Sequence, residues 1–537
     1  IATDEKVKLR IVVPRSMGCS CAKLAVCKDG ETTVYYNMFW AGMCGNDHEY
    51  WQLHFYATTS GLYFYHFELE TPWGKTYIKN SGNGIGDFNA ACGEFQQTVY
   101  DKSFKTPDFL KGGIIYQIFP DRFYCSGTEK KNVPQGRVMR KWGEEPYWNQ
   151  EQFGSVWNND YFGGDLEGIR SKLGYLSDLG VTCIYLNPIF ESHENHRYNT
   201  ADYMKVDPLL GTNEDFKKLC EDAKEYGISI ILDGVFSHTG ADSVYFNKFS
   251  RYDSIGAYNS KESPYYPWYT FYNYPNEYEA WWGIDTLPNV VETNPDYTKF
   301  ICGDGGVLDY WIEQGAAGFR LDVADELPDE FLDNLNKAVK AKGNDKVIYG
   351  EVWEDASNKI AYDQRRRYFT DRQLDSVMNY PWQKAILRYV RSEDDGTALG
   401  DAIRTLAENY PPDVLQTVMN ILSTHDTPRA INAILDPRDG DRTDLAQRHF
   451  TQEQLREGRQ RLKLAAFLQF MLPGMPCIYY GDEAGMTGYR DPFNRKFYPW
   501  GREDGNLVSF YRSLARVKKS APALRSGTVL VLEAGGG

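Results

Sequence analysis

The sequence predicts an α/β protein built on a (β/α)8 TIM barrel, with a β-sandwich before it and the start of a β segment after it. Three observations lead there. Eight short apolar runs alternate with amphipathic helical stretches over about 400 residues, the pattern of a parallel sheet whose crossovers are helices. The first hundred residues carry only alternating β-type runs broken by turn residues. The last twenty or so residues end in one apolar strand-like run with no partner run in the chain.

Residues 1–107 read as the sandwich, with strands at 7–13, 32–39, 50–57, 61–69 and 76–79. Pro107 and the pair Gly112–Gly113 mark the boundary, and the barrel unit occupies 108–515. Its strands are placed at 113–119, 181–186, 228–233, 318–322, 347–351, 374–379, 418–423 and 475–480. Fourth to fifth and fifth to sixth strands start 29 and 27 residues apart, room for one βα unit each, whereas third to fourth takes 90. The excess predicts an inserted subdomain after strand 3, about 240–295, at the C-terminal face of the barrel. It holds nine Tyr between Ala241 and Ala280, together with Trp268, Trp281 and Trp282. These rings suit sugar stacking, or the mutual packing of an irregular subdomain without a core of its own. Residues 516–537, with the run 528–532, read as the start of a C-terminal β domain that the sequence cuts short.

Composition narrows the partners. The 537 residues carry 59 Lys plus Arg against 74 Asp plus Glu, a net charge of −15, which excludes nucleic acid and anionic membrane surfaces as expected partners. No stretch is long and apolar enough to span a bilayer. Ten Cys without CxxC pairs fit reduced thiols in a cytoplasmic protein; a secreted protein is expected instead if a leader preceded Ile1. Cys19, Cys21, Cys27 and Cys44 cluster and admit a metal or disulfide reading, although their spacing matches no zinc pattern.

The chemistry lies in carboxylates at strand ends. Side chains two apart on a strand share a face, so Gly318, Arg320 and Asp322 point into the barrel while Phe319 and Leu321 pack outward. A guanidinium beside Asp322 favours its ionised form, which suits a nucleophile, or equally a structural salt bridge. The fifth strand ends in Glu351 at the same rim. Neighbouring strands lie about 4.8 Å apart, close to the ~5–5.5 Å carboxyl separation of a retaining glycosidase. The third strand ends Asp233-Gly-Val-Phe-Ser-His238, and the seventh leads into His425-Asp426. Four acids at four strand ends, with two His among them, are poorly explained by packing.

These segments resemble the signature regions of the α-amylase family: DGVFSH at 233–238, GFRLDVADE at 318–326, GEVW at 350–353 and STHD at 423–426. YQIFPDRF at 116–123, YFGGDLEGI at 161–169, HRYNTADY at 196–203, WWGIDTLPNV at 281–290 and GMPCIYYGDEAGM at 474–486 are similar as well. The sandwich followed by PDRF, with TLPNV, VADE and DPFNR, is most similar to the neopullulanase, cyclomaltodextrinase and maltogenic amylase branch.

The resemblance implies Asp322 as nucleophile, Glu351 as general acid and base, and Asp426 as transition-state stabiliser. It implies substrate contacts from Arg320, His238, His425 and Tyr198, binding of the next sugar by Asp491 and Arg495, and support from Asp202 and Asp233. The implied reaction is retaining hydrolysis of α-1,4-glucosidic bonds in maltooligosaccharides, cyclodextrins, pullulan or starch, with no organic cofactor. The alternatives are transglycosylation on the same substrates and a non-catalytic glucan-binding protein. The sandwich is implied to bind glucan or to form a homodimer. Of the branch's calcium ligands only Gly163 and Asp165 remain; Cys125, Ser126 and Gly127 replace the Asn and Asp residues, and Ser237 stands at a frequent Asn, so calcium is an optional cofactor. VADE lacks the Lys-His pair of endo-acting members, which implies short substrates.

Overall fold

The computed structural model describes residues 1–82, 84–89, 91–153 and 157–532. Eight parallel strands form its centre: β1 (Ile115–Ile118), β2 (Cys183–Leu186), β3 (Ser229–Gly234), β4 (Gly318–Leu321), β5 (Val347–Gly350), β6 (Ser376–Val377), β7 (Met419–Ile421) and β8 (Met475–Tyr479). Each falls at a predicted run. Ladders join them in the order β6-β5-β4-β3-β2-β1-β8-β7, and one parallel bridge between Met378 and Met419 brings the two ends together into a barrel.

Inward side chains such as Tyr185, Ile231, Tyr349 and Ile421 fill the barrel, while Leu186, Leu232, Phe319 and Ile348 pack outward against the helices. This alternation is the two-residue period of a strand covered on both faces. Gly318 opens β4 with φ +150, and a Cβ there would lie 1.9 Å from the Val347 carbonyl oxygen. Only glycine permits that approach, which sets the β4–β5 register: Arg320 lies opposite Tyr349 and Leu321 opposite Gly350. Asp322 and Glu351 therefore leave adjacent strands at the same height.

The N-terminal region forms two antiparallel sheets with a hydrophobic core of their own, including Leu24, Val26, Trp51, Leu53, Phe67 and Leu69. The predicted strand 32–39 is two strands, Val34–Asn37 and Phe39–Cys44, one at the edge of each sheet. Cys21–Lys28 is a further strand, paired with both Val34–Asn37 and Gly61–Thr71. Its Ala and Lys are weak strand formers, and its place between two partners overrides that preference. Phe95–Val99 also pairs with Gly61–Thr71. All ten thiols are free, which corrects the disulfide reading of Cys19, Cys21, Cys27 and Cys44. Among the described residues no helix is long and apolar enough to cross a membrane.

Between β3 and β4 the chain holds only short elements, among them a hairpin of Phe271–Asn273 and Glu277–Tyr278. Its aromatics mostly pack on one another: Phe246 lies 4.9 Å from Tyr269 and 4.7 Å from Tyr278, and Trp268 lies 4.9 Å from Tyr265. Residues 528–532 form no strand; Val529 and Val531 rest on the barrel core, Leu530 and Leu532 face outward, and 533–537 lie outside the described residues. Alternating apolar residues gave 528–532 a strand's pattern, but they find a surface to cover and no ladder.

Candidate active site

Arg320 is the centre of the site and has no exposed surface. One of its terminal nitrogens donates to Asp233 Oδ1 at 2.7 Å and to Asp322 Oδ1 at 2.8 Å; the other lies 2.7 Å from Glu351 Oε2. Three carboxylates from three neighbouring strands thus share one guanidinium. Burial pushes the Asp322 carboxyl well above its ordinary value; Arg320 opposes this, and the charges of Glu351 and Asp233 add to it. Burial also raises Asp233, against Arg320 and two tyrosine hydroxyls. The expectation that Arg320 alone keeps Asp322 ionised is thereby modified: a cation divided among three anions compensates none of them fully.

Glu351 is oriented by two groups whose roles the motifs do not spell out. The Val323 N–H donates to its Oε2 at 2.8 Å and the Trp353 indole to its Oε1 at 3.0 Å. Val323 is a β-branched residue at φ +40, a strained backbone that turns its N–H toward the acid. Trp353 is held by stacking on Tyr380, ring centres 4.0 Å apart.

A second network fixes the histidines. Gln117 on β1 places its amide nitrogen 2.9 Å from His425 Nδ1 and donates to Asn187 at 3.1 Å. That leaves the His425 proton on Nε2, which faces the Tyr198 hydroxyl at 2.5 Å and Asp426 at 3.0 Å. Tyr198 stacks on His425 with centres 5.2 Å apart and donates to Asp233 at 2.7 Å, where Tyr185 also donates at 2.6 Å. Gln117 lies inside β1 within the YQIFPDRF segment, which does not show what its amide does, and Asn187 follows β2 as a polar exception to an apolar run. Gln117→Leu is expected to keep the fold and to cost about 1–3 kcal/mol by leaving a buried ring nitrogen without its donor. The check is kcat/KM, falling roughly 5- to 150-fold.

Both site histidines are neutral at pH 7. Burial lowers His425 well below its ordinary value, helped by Arg320 and Arg495, and takes His238 from 6.5 to about 4. His238 stacks obliquely on Trp281, centres 5.5 Å apart, and its Nε2 donates to the Tyr198 carbonyl at 3.2 Å. The unfolded chain takes up protons at these rings that the folded chain refuses. Their contribution is therefore complete above 6.5 and is lost as pH falls below it, toward about 4 for His238. The unfolding free energy of His238→Asn is expected to fall less than that of the parent on a shift from pH 7 to about pH 5, by on the order of 2 kcal/mol, as read by urea unfolding at the two pH values.

At the rim, Asp426 has a side chain 34 % exposed and lies 3.6 Å from Arg495, which pairs with Asp491 at 2.9 Å. Arg495 also donates to the His425 carbonyl at 3.0 Å, so Asp426, His425 and Asp491 are tied together. Of the residues expected to catalyse, bind substrate or support the site, Asp202 stands apart from these networks: it accepts from the Met204 amide and the Tyr245 hydroxyl and pairs with Lys205 at 2.9 Å.

The residues at the implied calcium position do not fit that ion. Calcium takes about six to eight oxygens. Both oxygens of Asp165 are engaged already, Oδ1 by the Gly168 and Ser126 amides and Oδ2 by the Ser126 hydroxyl and the Lys130 ammonium at 2.7 Å. The space over Gly163 is flanked by Met139 Cε and Cys125 Sγ, at 3.4 and 3.6 Å from where a Cβ would stand. Among the described residues no three His, Cys, Asp or Glu side chains are grouped to hold a metal.

Residues 117–519 match the family description "Alpha amylase, catalytic domain". An amylopullulanase of Thermoanaerobacterium saccharolyticum is 36 % identical over 540 residues, covering 91 % of this chain and 41 % of its own length. A cyclomaltodextrinase of Geobacillus thermopakistaniensis is 35 % identical over 441 residues, covering 80 % of this chain and 66 % of its own length. A solved cyclomaltodextrinase structure superposes with a TM-score of 0.69 at 27 % identity, covering 98 % of this chain and 83 % of that one. The chain spans 41 %, 28 % and 39 % of the three amylopullulanases it matches, less than half of each.

Proposed function

This chain belongs to the α-amylase family, and on that premise we propose that it is a retaining hydrolase of α-1,4-glucosidic bonds in maltooligosaccharides, cyclodextrins, pullulan or starch fragments. The observation that carries the reading is the single guanidinium of Arg320 in contact with both Asp322 and Glu351 on adjacent strands, with Asp426 at the rim above them. In the first step an Asp322 oxygen bonds to the anomeric carbon as the glycosidic C–O bond breaks, and Glu351 gives its proton to the departing oxygen. In the second step Glu351 takes a proton from water, whose oxygen displaces Asp322 and restores the original anomer. Neutral His238 and His425 add no positive charge beside the developing oxocarbenium ion.

The test is a panel of maltotriose, β-cyclodextrin, pullulan and starch, with the first-formed anomer read by NMR. Initial α-anomer with products shorter than the substrate supports the reading. Initial β-anomer overturns retention. Products longer than maltotriose at high substrate would assign the same intermediate to transfer, and glucan binding with no bond cleavage would make the chain a binding protein.

A further inference from the structure

The disagreement at the implied calcium position has a positive content. Past the one-turn helix Pro120–Phe123 the chain offers Cys125, Ser126 and Gly127, none of them a carboxylate, then Thr128, an exposed Glu129 and Lys130. Asp165 faces this loop with a side chain only 1 % exposed, and it also caps the helix Leu166–Ser171 by accepting from the Gly168 amide at 2.6 Å. A buried carboxylate needs a counter-charge. The cation it has is the Lys130 ammonium, 2.7 Å from Oδ2 and itself 16 % exposed, with the Ser126 hydroxyl at 2.5 Å completing that oxygen. The Ser126 amide reaches Oδ1 at 3.3 Å, so both ends of the 126–130 segment are fastened to one carboxylate.

We propose that the ammonium of Lys130 replaces the divalent cation at this position, fixing the loop after strand β1 on the Gly163–Asp165 turn through an internal, covalently tethered charge. Chain connectivity holds this charge beside Asp165 at all times, so the junction does not depend on the calcium concentration outside. A cation supplied by the chain also accounts for Cys125 and Met139 beside Gly163: soft sulfur is a poor neighbour for calcium and indifferent to an ammonium several ångströms away.

The experiment is thermal unfolding of the full chain in EDTA and in millimolar CaCl2, for the parent, for Lys130→Met and for Lys130→Met combined with Asp165→Asn. The parent is expected to melt at the same temperature in both. Lys130→Met is expected to melt several degrees lower in EDTA, because Asp165 keeps its charge and loses its partner. The double variant is expected to recover most of that loss, since Asn can still cap the helix and carries no charge to compensate. Partial rescue of Lys130→Met by CaCl2, with none for the parent, would be further support. A parent that melts lower in EDTA and recovers with CaCl2, or stoichiometric calcium binding to the parent by calorimetry, overturns the proposal. So does a Lys130→Met variant that melts with the parent in EDTA. If Lys130→Met fails to fold, the response of the parent to EDTA and CaCl2 still decides.

Discussion

Asp322→Asn is expected to lower kcat on maltotriose by roughly 10⁴-fold or more, the scale of loss when a catalytic nucleophile is removed from an otherwise intact site. The substitution is nearly isosteric. An Asn oxygen can still accept from Arg320, at the place where Asp322 Oδ1 now lies 2.8 Å away, so the position of the side chain is kept. What is lost is the anionic oxygen able to bond to the anomeric carbon. Stability is expected to hold or to rise slightly, because three mutually repelling carboxylates around one guanidinium become two. Steady-state rates with a parallel unfolding curve separate the two effects, and a rate within tenfold of the parent would remove Asp322 from the nucleophile's role.

Arg320→Met should show the opposite balance, with stability and activity failing together. Arg320 is wholly buried and contacts Asp233, Asp322 and Glu351 at 2.7, 2.8 and 2.7 Å. A methionine fills much of the volume and leaves three carboxylates without their common cation. Breaking a buried pair by removing one partner costs about 3–5 kcal/mol, and the carboxylates would then relieve the repulsion by taking up protons. Urea unfolding at neutral pH is expected to show that loss, smaller at acid pH where the protons are supplied. Arg320→Lys is expected to be intermediate, since an ammonium keeps the charge but lacks the planar fork that reaches three carboxylates at once. A methionine variant with parental stability would mean that the cluster draws little from this cation.

Why some of this could be read from the residues and some could not has a physical explanation. Barrel strands announce themselves as apolar runs because both faces are covered, and their carboxyl ends announce themselves because an acid is costly wherever packing alone would suffice. Asp322, Glu351, Arg320, Asp233 and His425 were accessible in this way, Tyr198 only through the family resemblance of HRYNTADY, and the structure joins all six in one network. The Val323 N–H was not, because a backbone donor has no residue type to betray it; its direction follows from φ +40. Gln117 was hidden because its role depends on a ring 308 residues away. In the sandwich, Cys21–Lys28 drew attention for its thiols, while its two neighbouring strands are what decide its conformation.

The closure of the barrel divides the cleft mechanically. Asp322 and Glu351 leave strands joined by a continuous ladder, with the Glu351 amide bonded to the Leu321 carbonyl at 3.0 Å. Asp426 follows β7, which meets the β6 side through one bridge, Met378–Met419, a bond from the Asn379 amide to the Met419 carbonyl, and side-chain bonds from Asn379 to Asn420 and from Gln383 to the Leu422 carbonyl. The proposed nucleophile and acid therefore stand on strands joined by a ladder, and Asp426 stands across the side of the barrel closed by a single bridge. Strain imposed by a bound ring is therefore expected to load the β6–β7 side before the β4–β5 ladder that carries Asp322 and Glu351.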